Sequence, residues 1–525
     1  MATVKIETFG GIAPRQHPTQ LADGMATIAQ NVKLESGKLV PLRQPLIVSG
    51  AKNIMENGLA DPADAKSIHV WRNSGGEFDF LLFPGWTWSA PGNVAADDLT
   101  RIVVSGDRTG DGEVDEPVVY MRDPVAGKVV YPIRKEPIGF PVVSRDAGAI
   151  DPDEANIRYT RFFYTWVDKY GMESPVSMPS RVLVGTYLAS DGWSYNPETG
   201  KITKDSQTID VSSDEWTINM SVNTFVSAQR IVDDDLQYVD GDAINFASIG
   251  AANWPALATA IRVYKVIAGT QEGRVQFIAE RSKSAIDSGA SGFTLTVKDE
   301  DAGEIIPEIE APPADLTCIR DVPGSFYCGF APSAPKTVCF SDIDLLYSWP
   351  TQYRYDVADN LVALAVTSNS VFALTDGWPY VISGTAPESM TVSKLASPAA
   401  CVSPRGVCVL DNTVFYASNE GLMAISNSAN AGTVVTNVTD QIYTKDQWQA
   451  LNPASCLAGH YRGRLFLYFT ARDGEEYPGG ARHMGLTVNM KDGMKVAVTT
   501  HDEAAACLCV DVREDEMYFI GEGVE

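Results

Sequence analysis

The sequence predicts a mainly β chain assembled from repeated small sheets, and three observations carry that expectation. Short alternating or continuous apolar runs recur along the whole length, at 39–48, 101–104, 118–121, 162–167, 261–266, 293–297, 371–374, 414–416 and 465–469. Turn residues separate them densely: there are 43 Gly and 30 Pro, with Asp-Gly pairs at Asp111-Gly112, Asp376-Gly377, Asp473-Gly474 and Asp492-Gly493. Helical periodicity longer than two turns occurs only at 21–31 and 251–259, where short helices are expected.

Residues 1–64 are mixed and non-repeating. Pro14 and Pro18, the expected helix at 21–31 and the extended stretch 38–48 suit an arm or clamp rather than a repeat unit. The C-terminal part, 315–525, repeats one theme, a strand, a tight turn and another strand. Spacings of ~40–45 residues between equivalent strands fit four-stranded blades around an axis, a β-propeller, with a pair of sandwiches as the alternative. Little sequence follows the strand at 516–520, so a strand from the N-terminal region is expected to complete the last blade.

Residues 141–314 differ in kind. Arg161-Phe-Phe-Tyr-Thr-Trp-Val-Asp168 is an aromatic-rich strand followed by a Gly turn and a Pro/Ser run, and Ala260-Ile-Arg-Val-Tyr-Lys265 comes much later. That order suits an inserted fibronectin type III-like β-sandwich over 151–310, with Phe163, Trp166, Val263 and Tyr264 expected in one core. The polar stretches 185–206 and 230–250 are expected as an exposed excursion without periodic pattern.

The charge balance narrows the function. Among 525 residues, 41 Lys and Arg face 67 Asp and Glu, a formal charge of −26. Such a chain does not present the clustered cations that sequence-reading DNA binding needs. No apolar run approaches the ~20 residues of a membrane span, and the first residues lack a basic stretch followed by an apolar one, so no membrane-spanning segment or leader is expected. The 8 cysteines lie between Cys318 and Cys509 with no Cys-x-x-Cys pair, which favours reduced, buried thiols over zinc or disulfides.

Enzyme signatures fail in turn. The 5 histidines, His17, His69, His460, His483 and His501, show no zinc spacing, and neither a Gly-x-Ser-x-Gly elbow nor a Walker loop occurs. Asp191-Gly-Trp193 and Asp376-Gly-Trp378 suit turns with a packing Trp better than carboxylate catalysis. The expectation is no enzyme and no cofactor. One stretch, 107–116, has the oxygen spacing of a calcium loop at Asp107, Thr109, Asp111 and Asp115 with a bend at Gly112, but its twelfth position is Val118 where a bidentate Glu belongs. Asp107, Asp111 and Asp115 are thus weak metal candidates, and a hydrophilic hairpin tip is the plainer reading. Acidic runs at Asp233-Asp234-Asp235 and at 299–310 suit solvated faces; on the wall of a DNA conduit the same carboxylates would repel the duplex and prevent adhesion.

Four stretches together resemble the tail nozzle proteins (tubular tail protein B-like) of short-tailed bacteriophages. They are Thr8-Phe-Gly-Gly-Ile-Ala-Pro-Arg15 with its continuation to Leu42; 101–106 with Val130-Tyr-Pro132 and Gly139-Phe-Pro141; the fibronectin-like stretch closing at Ala311-Pro-Pro-Ala314; and the run from Phe340-Ser341 through Leu374-Thr-Asp-Gly-Trp-Pro-Tyr380, Cys401-Val-Ser-Pro-Arg405 and Tyr416-Ala-Ser418 to Trp448–Pro453. The resemblance implies a virion structural protein, made in the host cytoplasm and resident in the tail, with a propeller that residues 65–140 begin and 315–525 complete, leaving room for about six blades. It implies a sixfold homo-oligomeric ring with an acidic channel for DNA ejection, a head-to-tail adaptor on one side and a tail fibre or tailspike protein on the other. Asp233, Asp234 and Asp235 are the acidic candidates for a lumen or tip position. A tail-borne propeller that binds or hydrolyses glycans is the competing function.

Overall fold

The computed structural model describes residues 8–521 apart from 36–37, 73–76, 93–99, 124, 135–138, 147–149, 151–156, 223, 248, 250–253, 256, 268–273, 287–291, 429–431, 479 and 491–495. It is mainly β, with many small sheets and, among the described residues, one short α-helix, Lys445–Gln449. The chain forms two compact units, Met1–Arg134 with Pro312–Glu525, and Lys135–Ala311.

Among the described residues, the first unit holds five four-stranded antiparallel meanders, beginning with Thr87–Pro91, Thr317–Val322, Leu361–Val366, Val407–Leu410 and Leu457–Tyr461. Two shorter sheets join them. One has three strands, with Phe78–Phe83 between Ser67–Arg72 and Asn53–Met55; the other is the hairpin Ala505–Asp511/Glu516–Gly521. The first strand of each meander packs against that of the next. Ala505–Asp511 continues the series beyond Leu457–Tyr461 and touches Ser67–Arg72, which in turn touches Thr87–Pro91, so the contacts close a cycle of seven sheets.

The apolar code behind this cycle is two-sided. Val371 and Ala373 enter the core shared with the preceding sheet, while Phe372 and Leu374 enter the next one. Val414 and Tyr416 join that same core, and Phe415 and Ala417 face the one beyond, with Trp448, Leu465 and Leu467. A strand buried on both faces must be apolar at every position, which is why these middle strands read as continuous runs rather than as alternation.

The N-terminal segment departs from expectation. No helix occupies 21–31: Met25–Ala26 pairs in parallel with Gly11–Ile12, and Gln30 bridges Thr500 on the outer strand of the Leu457–Tyr461 sheet. Gly24 explains this. It adopts φ +85°, and a Cβ there would lie 2.3 Å from the Thr8 carbonyl oxygen, so the backbone turns back where a helix would have to continue. Its amides are used between segments, Gly10 N donating to Gly24 O and Asn31 N to Thr500 O. The stretch 39–48 is strand only within Lys38–Pro41. The expected N-terminal closing strand is likewise not on the last sheet, since among the described residues Glu516–Gly521 pairs with Ala505–Asp511 alone.

In the second unit, the three-stranded sheet of Phe162–Asp168, Ala258–Val266 and Val275–Ser282 shares one core with the six-stranded sheet that includes Val142–Arg145, Ala243–Ala247 and Gly292–Thr296. Phe162, Tyr164, Trp166, Ile261 and Val263 fill it from one side, Val143, Ile244, Phe246 and Leu295 from the other. Trp166 and Val263 sit where expected; Phe163 and Tyr264 do not. They pair across the two strands on the opposite face, because neighbours in a strand point to opposite sides. The polar stretches are also not a patternless excursion. Arg181–Leu188 and Thr224–Val232 belong to the six-stranded sheet, Leu236–Val239 pairs with Ile157–Thr160, and Ile202, Val211, Phe225 and Ala228 make a satellite core. The second expected helix gives way to strand at Ala258 and Thr259; residues 251–253 and 256 lie outside the described residues.

Candidate functional site

The centre of the seven-sheet cycle concentrates the polar chemistry of the first unit. Arg405 stands just before the first strand of the fourth meander, Val407–Leu410. Its guanidinium donates to the Lys66 carbonyl at 2.7 Å, to the Ser67 hydroxyl and to the Thr87 carbonyl at 3.5 Å. Lys66 and Ser67 open one sheet and Thr87 another, and both of these sheets stand three steps away around the cycle from the sheet of Arg405. The side chain therefore spans the middle. It also lies over the Trp86 ring, 5.2 Å from the guanidinium carbon to the ring centre.

Beside it, His69 is buried with Nε2 2.8 Å from the Thr87 hydroxyl and Nδ1 3.0 Å from the Ser89 hydroxyl. Burial, reinforced by the positive charges of Arg405 and Arg320, pulls its pKa down to about 3, so the imidazole is neutral at physiological pH. Burial also lowers Arg405, to about 10, and raises Cys507 to about 12, a shift that Arg405 opposes. Arg320 Nε donates to the Leu364 carbonyl, and the Ser105 hydroxyl accepts from Ile319 N. The two terminal nitrogens of Arg405 are answered by carbonyls and a hydroxyl while its buried Nε has no hydrogen-bond partner among the described residues, so the group works as a strut across the cycle through its outer donors.

The sequence-predicted residues lie elsewhere. Asp107, Asp111 and Asp115 occupy the hairpin between Ile102–Gly106 and Asp115–Asp123. Their carboxylates accept from backbone amides: Asp107 from Gly110 and Gly112, Asp111 from Glu113, Asp115 from Arg108 and Thr109. The oxygens that the calcium reading needs are thereby turned onto the loop's own amides, the geometry of a hydrogen-bonded turn. Among the described residues, no group of three or more His, Cys, Asp or Glu is placed to share a metal ion.

Asp233, Asp234 and Asp235 form an exposed turn between Thr224–Val232 and Leu236–Val239. Arg161 joins two of them, Nη1 to Asp233 at 2.8 Å and Nε to Asp235 at 2.7 Å, and these carboxylates hold its pKa up. Trp193 packs edge-on against Tyr187 and Trp378 lies under Lys394, so both Asp-Gly-Trp sites are turns with a packing ring. All eight cysteines are free thiols, seven of them buried.

Sequence reasoning missed the central cluster. Arg405 figured only as the last residue of Cys401-Val-Ser-Pro-Arg405, and His69 only as an isolated histidine. The single available signal was a cation embedded between apolar runs, which by itself does not say what it reaches.

No family model matches the chain, and no curated protein does. Among solved structures, Hsv2 of Kluyvelomyces marxianus is similar at 8% identity over 53% of this chain and 69% of that one, with a TM-score of 0.25. Apo AztD from Citrobacter koseri is similar at 13% identity over 69% and 76%, with a TM-score of 0.24. Puromycin hydrolase is similar at 12% identity over 82% and 56%, with a TM-score of 0.18. Likeness this slight carries no argument about function.

Proposed function

We propose that the chain is a structural subunit of a phage virion, forming the nozzle or distal tube of a short tail as a homo-oligomeric ring through which DNA is ejected. The observation that carries the reading is the series of four sequence blocks, from Thr8–Arg15 to Trp448–Pro453, that resemble the nozzle proteins in family order and span most of the chain. In this reading the first unit is a β-propeller and the second a fibronectin-like insert. The cyclic contacts of seven sheets support the propeller, with one blade more than the six that length suggested, because the three-stranded sheet and the terminal hairpin each count as a blade.

Arg405 bears on where DNA would pass. A strut across the blade axis leaves no room for a duplex through a single subunit. The conduit then belongs to the axis of the assembly, walled by several copies, and its acidic surfaces would keep DNA from adhering. The adaptor and the tail fibre or tailspike protein are its expected neighbours in the virion.

Trp86 favours the competing reading. It is 47% exposed beside Arg405, an aromatic face of the kind that sugars stack on. Imaging of the purified chain by electron microscopy, with mass measurement in solution, tests the proposal. Closed rings with a central channel are the expected result. A monomer at all concentrations that binds or cleaves envelope polysaccharide, and loses this in Trp86→Ala, would replace the nozzle reading with the glycan one.

A further inference from the structure

The segment that joins the short N-terminal strands to the three-stranded sheet is exposed and apolar. Leu46 and Ile47 are 91% and 94% exposed, and Leu39, Val48 and Met55 are also exposed. Among the described residues, five of the twenty exposed large apolar residues fall within 39–55, a concentration that solitary surface hydrophobics do not produce. Its ends are fixed. Leu42 packs against the cluster of Phe466, Tyr468 and Ala505, to which Met517 and Phe519 also pack, and Ala51 against the cluster of Phe80, Leu82 and Tyr518. Glu516–Gly521 supplies residues to both clusters, so the belt between Leu42 and Ala51 runs past the outer side of that strand. Among the described residues that edge pairs with nothing. Residues 43–50 point their apolar side chains at solvent rather than at the strand beside them.

We propose that this belt is the surface on which a second copy of the chain docks. The charge pattern selects that occupant. Residues 38–55 contain Lys38, Arg43 and Lys52 and no acid, in a chain of formal charge −26. A cationic, apolar belt fits an acidic protein surface, which every other copy supplies. Belt-to-belt contact would oppose like charges, so the contact is heterologous, belt against a different, acidic face of the next copy. Head-to-tail contacts of this kind close into rings when the rotation between successive copies divides a full turn. Three cations are too few for duplex DNA to be the better occupant, since such binding rests on many phosphate contacts. The inference deepens the proposed ring and depends on it.

The test uses the full-length chain and the variants Ile47→Asp and Leu46→Asp, with Val125→Asp as control, since Val125 is 96% exposed outside the belt. Mass photometry over a concentration series reads assembly, and thermal unfolding confirms that each variant folds. The expected result is an oligomeric parent and control, with assembly of the belt variants weakened at least 100-fold and unchanged melting temperatures. An Arg43→Glu/Lys52→Glu variant should weaken assembly in the same direction. An oligomer unaffected by all belt variants would overturn the docking proposal and leave the ring standing; a parent that stays monomeric would overturn both. Belt variants that assemble normally but lose binding to a labelled 30-base-pair duplex would assign the belt to DNA instead.

Discussion

Arg405 and Lys66, 339 positions apart in sequence, are joined across the centre of the seven-sheet cycle by a guanidinium-to-carbonyl hydrogen bond of 2.7 Å. A cyclic array of sheets depends on closure, and most neighbouring sheets here are held by side-chain packing rather than by backbone pairing. A donor fork that meets two further sheets from a third opposes the splaying of all three.

Replacing this strut should therefore cost stability out of proportion to one surface arginine. Arg405→Ala is expected to lower unfolding free energy by about 2–4 kcal/mol, because two carbonyls and a hydroxyl lose their donor in a crowded site. Arg405→Lys should recover less than half, since a point-like ammonium cannot reproduce the fork. Urea unfolding followed by tryptophan fluorescence measures both; a loss under 0.5 kcal/mol for Ala would remove the strut role.

Two buried histidines should make the first unit acid-labile. Burial lowers His69 to about 3 and His501 to about 4. Their unfolded values lie near 6.5, so the unfolded chain binds these protons first. The stability they allow is whole above about pH 6.5 and is lost as the pH falls toward 4, at up to about 1.4 kcal/mol per pH unit for each group. The double variant His69→Gln/His501→Leu should show a smaller drop in melting temperature between pH 7.5 and pH 5 than the parent; an identical drop would contradict the assignment.

In the second unit, Lys265 is fully buried and donates to Asp299 and to the Tyr238 hydroxyl, while Arg158 also pairs with Asp299. Burial pulls the lysine down to about 8. Removing the shared acceptor should hurt most: Asp299→Asn is expected to cost about 3–5 kcal/mol by leaving a buried cation uncompensated. Lys265→Met, which leaves Arg158 with Asp299, should be close to neutral. Comparable losses in the two variants on chemical unfolding would refute this asymmetry.

The acidic turn offers a functional test of the nozzle proposal. Asp233→Lys/Asp235→Lys removes both partners of Arg161, yet these are exposed pairs, and each should contribute less than about 1 kcal/mol. Particles carrying the double variant should assemble at normal yield. If the turn faces the lumen, DNA release on receptor triggering should slow, because three neighbouring cations would hold phosphates that the native turn repels. Unchanged ejection kinetics would take these residues off the DNA path.

The sequence by itself determined the class of fold. Period-two patterning, Asp-Gly turns and two-sided apolar strands such as Val371–Thr375 specify a chain of small antiparallel sheets, since each local run has one way to bury its side chains. It also marked Trp166 and Val263 as core. Only the tertiary structure decided which face each neighbour takes, so that Phe163 lies opposite Trp166, and that Gly24 folds 21–31 back on 8–13 where periodicity alone suggested a helix. It likewise decided what the charged residues meet. Asp107, Asp111 and Asp115 have metal-like spacing but spend their oxygens on backbone amides, and Arg405 stands between unremarkable neighbours yet crosses the cycle. Periodicity is a local property that the chain carries in its order, whereas the partner of a charge hundreds of residues away exists only once the sheets have closed.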